Sequence, residues 1–235
     1  MPEGTTQPQV SVIVPAYNEE ATIREVVERL LALPVQAQIV VVNDGSTDKT
    51  GEILASFGER ITLVTNPAPS GKGNAIRRGL PSATGQSVII QDADLEYAPE
   101  QIPALIQPIL DGQVNVVYGT RFLHGLHPDM ALPNKVVNLL LRFAVKVLYG
   151  RKITDEATCY KAFREGLLQK MNLECQRFEF CPEVTAKAIR LGEQIHESPI
   201  EYVPRTKAAG KKIRWTDAPE AFLTLLKYRS WKPGK

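Results

Sequence analysis

The sequence is poor in the residue types from which cross-links and zinc sites are built. Its 235 residues include three cysteines, Cys159, Cys175 and Cys181, and no CxxC pair. An odd number of cysteines without such pairs excludes a disulfide framework and a zinc ribbon, so we expect small buried thiols. The histidines are equally few and lack metal-ligand spacing, which predicts structural or solvent-facing roles: His124, His127 and His196.

Long apolar runs are also missing. No stretch of about 18 uncharged apolar residues occurs, so no transmembrane segment is expected. The first residues, MPEGTTQPQV, have neither the basic region nor the apolar stretch of a signal peptide. These absences predict a reduced, cytoplasmic protein. With 43% hydrophobic residues the chain is not a low-complexity disordered segment, and its length suits one sizeable domain or two small ones.

The net charge of +2 conceals two halves of opposite sign. Residues 1–118 contain 7 basic and 14 acidic side chains, whereas residues 119–235 contain 21 and 12. A basic half indicates an anionic partner such as phosphate, a lipid surface or nucleic acid, although solvated helix faces would give the same count. Nucleic acid is disfavoured because the basic residues do not cluster with aromatic residues in a stacking module.

The first half repeats a short apolar run, a turn and a helical pattern. The runs are rich in Val and Ile, as is typical of strands buried on both faces. The predicted strands are Val10–Pro15, Gln38–Val42, Ile61–Thr65, Ser87–Gln91 and Val114–Tyr118. Glu20–Leu33 has its apolar residues at helical spacing. The alternation predicts an α/β fold with a mostly parallel central sheet and helices on both faces.

The second half is less regular. Neither a linker nor an internal repeat is present, so we expect one domain over residues 1–235. Three helices are predicted there: Asn134–Tyr149, Pro182–Leu191 and Asp217–Tyr228. Ile195–Val203 predicts a strand that Pro199 restricts to an edge or makes irregular. Ala208–Arg214 is a basic, glycine-containing loop.

Polar residues follow the predicted strands, at the edge where parallel sheets bind ligands. The first strand leads into PAYNEE and the second into NDGSTD, which contains Asp44. This carboxylate can accept a hydrogen bond from a base or a ribose, although the same residues would also make a turn and a helix cap. Asp92 and Asp94 follow the fourth strand, and a pair of this kind can converge on Mg²⁺ or Mn²⁺.

The segment SGKGNA, residues 70–75, combines glycines with one cation, Lys72, near a predicted helix start. This arrangement suits phosphate. It is not a Walker A loop, because Gly73 stands where Ser or Thr should follow the lysine. Ile76 stands where the third glycine of a dinucleotide-binding loop belongs.

These segments together resemble a known family. The stretches VSVIVPAYNEE, VVNDGSTDKT, GKGNAIRRGL, QDADLEYAPE, VVYGTRF, TDEATCYKAFR and IEYVPRTKAAGKKIRW run in order from Val10 to Trp215. The sequence is similar to family 2 glycosyltransferases of the GT-A fold, in the branch of dolichyl-phosphate mannose synthase and other polyprenyl-phosphate glycosyltransferases. The resemblance implies a nucleotide-sugar half over about 8–118 and an acceptor half over about 119–230.

The resemblance also implies roles for individual residues. Nucleotide-sugar contacts would come from Pro15, Ala16, Tyr17, Glu19, Asp44, Lys72, Asp92 and Ala93. The metal, Mg²⁺ or Mn²⁺, would be held by Asp94 with Asp92 and Glu96, where this branch often has Gln. The phosphate of the acceptor would be bound by Arg121, Arg205 and Lys211. The family usually shows Glu-Gly-Lys where this chain has Ala209-Gly210-Lys211, which leaves a role of the missing acid unfilled.

The expected reaction is an inverting transfer of a hexose to a polyprenyl phosphate. The expected donor is GDP-mannose, UDP-glucose or UDP-N-acetylglucosamine. The expected catalytic residues are Asp92, Asp94, Arg121, Arg205 and Asp155. An anionic lipid phosphate needs no strong base, whereas a saccharide hydroxyl, the alternative acceptor, does. Asp155 and Glu156 are the candidates for that base, unless they form a surface turn.

The apolar stretch Val136–Leu148 fits a lipid acceptor. It would span about 20 Å as a helix, too short to cross a bilayer of about 30 Å. Its Lys and Arg side chains would reach lipid headgroups at the inner membrane face, and attachment would be peripheral. The alternatives are a core helix of a globular domain and, for the whole chain, a non-catalytic module that binds anionic membranes.

Overall fold

The computed structural model describes residues 7–122, 132–203 and 218–234. The strands are β1 (Val10–Ala16), β2 (Ala37–Asp44), β3 (Thr62–Asn66), β4 (Ser87–Ile90), β5 (Val116–Thr120), β6 (Lys161–Arg164) and β7 (Ile195–Pro199). The helices are α1 (Ile23–Leu31), α2 (Thr50–Ala55), α3 (Lys72–Gly79), α4 (Ile102–Leu110), α5 (Leu132–Tyr149), α6 (Leu167–Met171), α7 (Phe180–Arg190) and α8 (Ala218–Lys227).

In these ranges the strands form one sheet of seven, in the order β3-β2-β1-β4-β6-β5-β7. Strands β3, β2, β1 and β4 are mutually parallel, and β5 is parallel to β7. Only β6 runs antiparallel to its neighbours. The chain builds outward from β1 to β3 and then returns to place β4 on the other side of β1. The predicted mostly parallel α/β sheet is confirmed, and the reversal between β1 and β4 is a position where such sheets bind ligands.

Both faces of the sheet are covered, because successive side chains of a strand point to opposite faces. Val12 and Val14 of β1 belong to a core with α1, α2 and α4. Ile13, between them, belongs to a second core with α3, α5, α6, α7 and α8. Among the described residues, no helix has both the length and the apolarity that crossing a bilayer demands.

Strand β6 was not predicted, because two of its four residues are basic. In the structure Lys161 is fully buried, with its Nζ donating to the carbonyl oxygen of Glu156 at 2.6 Å and lying 3.8 Å from the ring centroid of Tyr118. Arg164 Nε donates to Asn115 Oδ1 at 2.7 Å. Buried cations need such partners, and these partners come from strand β5 and from loops, which no local hydrophobic pattern reveals.

The two edges of the sheet differ in how well the sequence predicted them. Pro199 ends β7, which is an edge strand as expected. The run that became β3 was expected to be buried on both faces, but β3 is the opposite edge and Leu63 is 36% exposed. An apolar run shows that a strand forms, but not which neighbours cover it.

Candidate active site

The carboxyl ends of β1, β2 and β4 meet at one edge of the sheet and line a cavity of about 560 Å³. Every residue predicted for the site within the described ranges, except the two candidate bases Asp155 and Glu156, lies in its wall. These residues are Pro15, Ala16, Tyr17, Glu19, Asp44, Lys72, Asp92, Ala93, Asp94, Glu96 and Arg121. The other two predicted contacts, Arg205 and Lys211, lie outside the described residues. Five separate segments of the chain therefore converge on one cavity.

Asp44, at the end of β2, holds the loop that follows β3. Its carboxylate accepts hydrogen bonds from Asn66 Nδ2 at 2.6 Å, Ser70 Oγ at 2.6 Å and the Gly71 amide at 2.8 Å. Burial opposes the charge, but these hydrogen bonds together lower the pKa of Asp44 below its usual value. The carboxylate is therefore ionised and positioned at the cavity wall.

The glycine-containing loop before α3 was expected to bind phosphate, but two of its backbone amides donate to other backbone groups of the chain. The amides of Gly73 and Asn74 donate to the carbonyl oxygens of Arg177 and Gln176, each at 2.9 Å. A Cβ on Gly71 would lie 2.5 Å from the Gln176 oxygen, and φ there is +94°. The glycines allow this close approach of two backbones. These two amides are already used as donors, so the predicted contact of this segment with phosphate would come from Lys72 and stays a prediction.

Lys72 reaches the cavity through its side chain. Its Nζ forms an ion pair with Asp92 and lies 3.0 Å from Cys159 Sγ. Burial opposes the lysine charge, but the Asp92 carboxylate raises the pKa of Lys72 well above its usual value. Lys72 therefore neutralises one of the two aspartates that the sequence placed beside the metal.

Asp94 and Glu96 supply the oxygen atoms that fit a divalent cation. The Glu96 amide donates to Asp94 Oδ1 at 3.1 Å, in a turn where Leu95 has φ +59°. Tyr202 donates its hydroxyl to Glu96 Oε2 at 3.0 Å. Within the described part of the chain no three His, Cys, Asp or Glu residues gather as a ready metal site. Mg²⁺ and Mn²⁺ usually take one or two carboxylates and complete their shell with substrate phosphates, so the side chains of Asp94 and Glu96 fit either ion.

Arg121, just after β5, is held as a fixed cation at the cavity wall. Its Nε and Nη2 donate to the two oxygens of Asp155, each at 2.7 Å, and its amide donates to the same carboxylate at 3.0 Å. The rings of Phe122 and Tyr202 lie 4.9 and 5.0 Å from its guanidinium carbon. Burial opposes its charge, but Asp155 raises the pKa of Arg121 well above its usual value.

Asp155 and Glu156 do not form a surface turn, since both are fully buried. Neither lines the cavity, and Asp155 is occupied by Arg121. Its predicted role as a general base stays a prediction, and the geometry argues against it because a base must reach the acceptor. Burial, opposed by Lys161 and Thr185, raises the pKa of Glu156 to about 7.

Several residues of the wall were not predicted. Tyr202 lies in the motif IEYVPR, and its ring centroid is 5.2 Å from that of Tyr97. Asn134 and Asn138 reach the cavity from α5. Asn138 is a buried amide on an apolar helix, which is the signal that could have identified it. Cys159 also lines the cavity, and its thiol is buried as expected.

The family profile described as Glycosyl transferase family 2 matches residues 11–171. The chain belongs to glycosyl transferase family 2. The matched segment contains every strand end that lines the cavity from Pro15 to Arg121. The chain is therefore a glycosyltransferase, and the resemblance seen in its motifs is confirmed.

Curated relatives of this glycosyltransferase include three whose names describe a sugar transfer. The low-salt glycan biosynthesis hexosyltransferase Agl6 of Haloferax volcanii is 31% identical over 84% of this chain and 48% of its own. The UDP-N-acetylglucosamine–dolichyl-phosphate N-acetylglucosaminyltransferase of Methanococcus voltae is 30% identical over 87% and 90%. The undecaprenyl-phosphate 4-deoxy-4-formamido-L-arabinose transferase of Photorhabdus laumondii is 32% identical over 74% and 54%. The chain spans about half the length of the first and the third.

Solved structures confirm the fold of the glycosyltransferase. Glucosyl-3-phosphoglycerate synthase from Mycobacterium tuberculosis in complex with UDP matches with a TM-score of 0.74 at 21% identity, over 97% of this chain and 82% of that one. The same enzyme in complex with Mn²⁺, UDP-glucose and phosphoglyceric acid matches with a TM-score of 0.71 at 22% identity over the same shares. The predicted GT-A fold is thus confirmed.

Proposed function

We propose that this glycosyltransferase moves a hexose from a nucleoside diphosphate sugar to a polyprenyl phosphate. The observation that carries the proposal is that one cavity combines the carboxylates of Asp92, Asp94 and Glu96 with the fixed guanidinium of Arg121. Carboxylates suit a cation bound to a diphosphate, and a planar guanidinium suits phosphate. Names of two relatives specify a polyprenyl-phosphate acceptor, which supports this pairing.

The donor would lie against the ends of β1, β2 and β4. GDP-mannose, UDP-glucose and UDP-N-acetylglucosamine are the donors to test, and the last is named for the relative from Methanococcus voltae. Asp94 and Glu96 would hold Mg²⁺ or Mn²⁺, which neutralises charge on the departing diphosphate when it is bound. Lys72 pairs with Oδ1 of Asp92, and Oδ2 of the same carboxylate would accept a hydrogen bond from the sugar.

The acceptor would be bound by Arg121, with Arg205 and Lys211 as further predicted contacts. A phosphate monoester is already anionic, so its oxygen can attack the anomeric carbon without a strong base. The positions of Asp155 and Glu156 outside the cavity support this acceptor over a saccharide hydroxyl. Asp155 instead holds Arg121 in place.

A lipid acceptor also requires access from a membrane, and helix α5 supports that access. Asn134, Val137 and Asn138 of α5 line the cavity, while large apolar side chains of α5 and of its neighbour α8 are exposed. We call these side chains the α5/α8 face: Val136, Leu139, Leu140, Phe143, Val147, Leu223 and Leu226. We propose that it rests in the interface of the cytoplasmic membrane leaflet, since an amphipathic face with flanking cations binds anionic lipid. The free cysteines suit a reducing compartment.

The test is a transfer assay with undecaprenyl phosphate or dolichyl phosphate in detergent micelles, the three donors and Mn²⁺. We expect one donor to give a glycosyl phosphodiester, detected by mass spectrometry. Replacing Arg121 by Gln should lower kcat/KM for the lipid about 100-fold, as loss of a fixed charge at a reacting phosphate does. Arg78→Gln, an exposed change on α3, is the matched control. Transfer to a saccharide hydroxyl with none to either lipid would overturn the proposal.

A further inference from the structure

Glu197 of β7 lies beside the strand that carries Arg121. In the parallel pairing of β5 with β7, Tyr118 is opposite Glu197 and Thr120 is opposite Pro199. Arg121 is the residue immediately after β5. Glu197 is partly buried, does not line the cavity, and was not singled out by any motif.

The Glu197 carboxylate binds the loop between α5 and β6. The Thr154 amide donates to its two oxygens at 2.8 and 2.9 Å, and Thr154 Oγ1 donates to Oε1 at 2.8 Å. The Asp155 amide donates to Oε1 at 3.1 Å. One side chain therefore accepts from both residues of a segment that lies in neither a helix nor a strand. Charged acceptors of this kind form strong hydrogen bonds.

That segment is what positions the Arg121 guanidinium. The two oxygens of Asp155 accept hydrogen bonds from Arg121 Nε and Nη2, which makes a bidentate ion pair. Thr154 Oγ1 also lies 2.7 Å from Thr120 Oγ1, which accepts the Phe122 amide at 3.1 Å. The residues before and after Arg121 are thus tied to the same loop that Glu197 holds.

We propose that Glu197 is a positioning residue for Arg121, acting through Thr154 and Asp155. Without its carboxylate the Asp155 amide and the Thr154 donors lose their acceptor, and the loop can shift. Asp155 then moves with it, and the guanidinium loses its fixed orientation toward the cavity. A cation placed even about 1 Å wrongly costs catalysis heavily. The catalytic consequence rests on the proposed function, whereas the structural one does not.

The direct measurement is hydrogen exchange of the Arg121 Nε–H in ¹⁵N-labelled full-length protein without substrate. Its signal is assigned by its disappearance in Arg121→Lys. In the wild type this proton exchanges slowly, because it donates to a buried carboxylate. In Glu197→Gln we expect exchange to be about tenfold faster, as weakening of a charged hydrogen-bond network predicts. Glu201→Gln, an exposed change just beyond β7, should match the wild type.

A double-mutant cycle separates this role from a general loss of structure. Asp155→Asn also speeds the exchange, and adding Glu197→Gln should change it little further, since both act on one chain of contacts. If Glu197→Gln does not fold, Thr154→Val removes the hydroxyl alone, and exchange should rise about threefold. A folded Glu197→Gln, or a folded Thr154→Val used in its place, with wild-type exchange would overturn the proposal. Full additivity in the cycle would also overturn it.

The kinetic readout uses undecaprenyl phosphate and the donor found active. Glu197→Gln should lower kcat/KM for the lipid phosphate about tenfold, while the Kd of that donor's nucleoside diphosphate with Mn²⁺, measured by calorimetry, stays within about twofold. Equal losses of nucleotide binding and of transfer would indicate a merely structural role and overturn the proposal. Absence of transfer in the wild type would overturn the proposed function but leave the exchange result standing.

Discussion

The two halves of the chain build their shares of the cavity in different ways. In the first half, Pro15, Asp44 and Asp92 lie within two residues of the ends of neighbouring parallel strands, so the order of strands alone brings them together. In the second half, Arg121 is oriented by Asp155, 34 residues later, and Asp155 by Glu197, 42 residues after that. Local sequence is enough to locate the first group, whereas the second depends on contacts across the fold.

This difference has a chemical counterpart. The first half contributes mainly carboxylates, which suit a metal-bound diphosphate, and the second contributes a buried cation, which suits phosphate. The carboxylate of Asp44 is held by hydrogen bonds from the residues that end and follow the neighbouring strand β3. A buried guanidinium needs a full set of acceptors to offset its desolvation. The acceptor side of the cavity therefore requires more of the fold to maintain it.

The largest loss of activity is expected from changes to the carboxylates that the first half contributes to the cavity. Asp94→Asn should lower transfer by about 100- to 1000-fold, because a neutral amide holds a divalent cation poorly. It should also abolish the thermal stabilisation by UDP with Mn²⁺, which for the wild type at 100 times the Kd is about 2.7 kcal/mol.

Asp111→Asn, an exposed change after α4, is the control for Asp94→Asn. It should retain both the transfer rate and the stabilisation by nucleotide. A wild-type response of Asp94→Asn to UDP and Mn²⁺ would show that the metal lies elsewhere.

The same contrast explains how far the sequence predicted the molecule. The strand ends with Asp44, Asp92 and Asp94 were predicted because apolar runs and the residues after them are local signals. Strand β6 and the burial of Asp155 and Glu156 were not, since basic and acidic residues ordinarily mark a surface. Their burial becomes visible only when Lys161, Arg121 and Thr185 are in place.

The second expected effect concerns the buried acid of the second half. The pKa of Glu156 is about 7, whereas an unfolded glutamate titrates near about 4.3. Between these values the unfolded chain releases a proton that the folded chain keeps, so stability from this group falls as pH rises. From pH 5 to pH 8 the wild type should lose about 2 to 3 kcal/mol relative to Glu156→Gln.

Urea unfolding at pH 5, 6, 7 and 8 checks this difference, with Glu220→Gln on the exposed side of α8 as the control. The control should follow the wild type at every pH. A pH-independent difference between wild type and Glu156→Gln would contradict a raised pKa at this position.

The third expected effect concerns Asp44, in the first half, whose contribution to stability falls as pH decreases rather than as pH rises. Hydrogen bonds lower the pKa of Asp44, so its stabilisation is present above the unfolded pKa and is lost as pH falls through the folded one. Asp44→Asn should cost about 2 kcal/mol at pH 7, and the cost should shrink below about pH 4. Urea unfolding of both proteins at pH 7 and pH 3.5 measures this, with the exposed Glu59→Gln as control. An unchanged cost at low pH would show that packing, not charge, makes Asp44 important.

The smallest expected effect concerns membrane binding. It tests whether exposed apolar side chains of the second half contact lipid while one of the first half does not. Phe143 is 63% exposed on the α5/α8 face, and Leu63 is 36% exposed on β3, at the far edge of the sheet. Both cost little to replace in the folded chain, because neither is buried. If the α5/α8 face enters the membrane interface, Phe143→Ser removes apolar area that contributes about 1.5 kcal/mol or more on burial. Leu63→Ser removes no apolar area that would enter the membrane interface, because Leu63 does not belong to the α5/α8 face.

Sedimentation with vesicles of phosphatidylcholine and phosphatidylglycerol should then show about tenfold weaker binding for Phe143→Ser and unchanged binding for Leu63→Ser. Activity on a lipid phosphate in detergent micelles should stay near the wild-type level in both, because neither side chain lines the cavity. Equal binding by the two variants would mean that the exposed apolar surface of α5 and α8 serves something other than lipid. The acceptor would then have to reach Arg121 without help from that face.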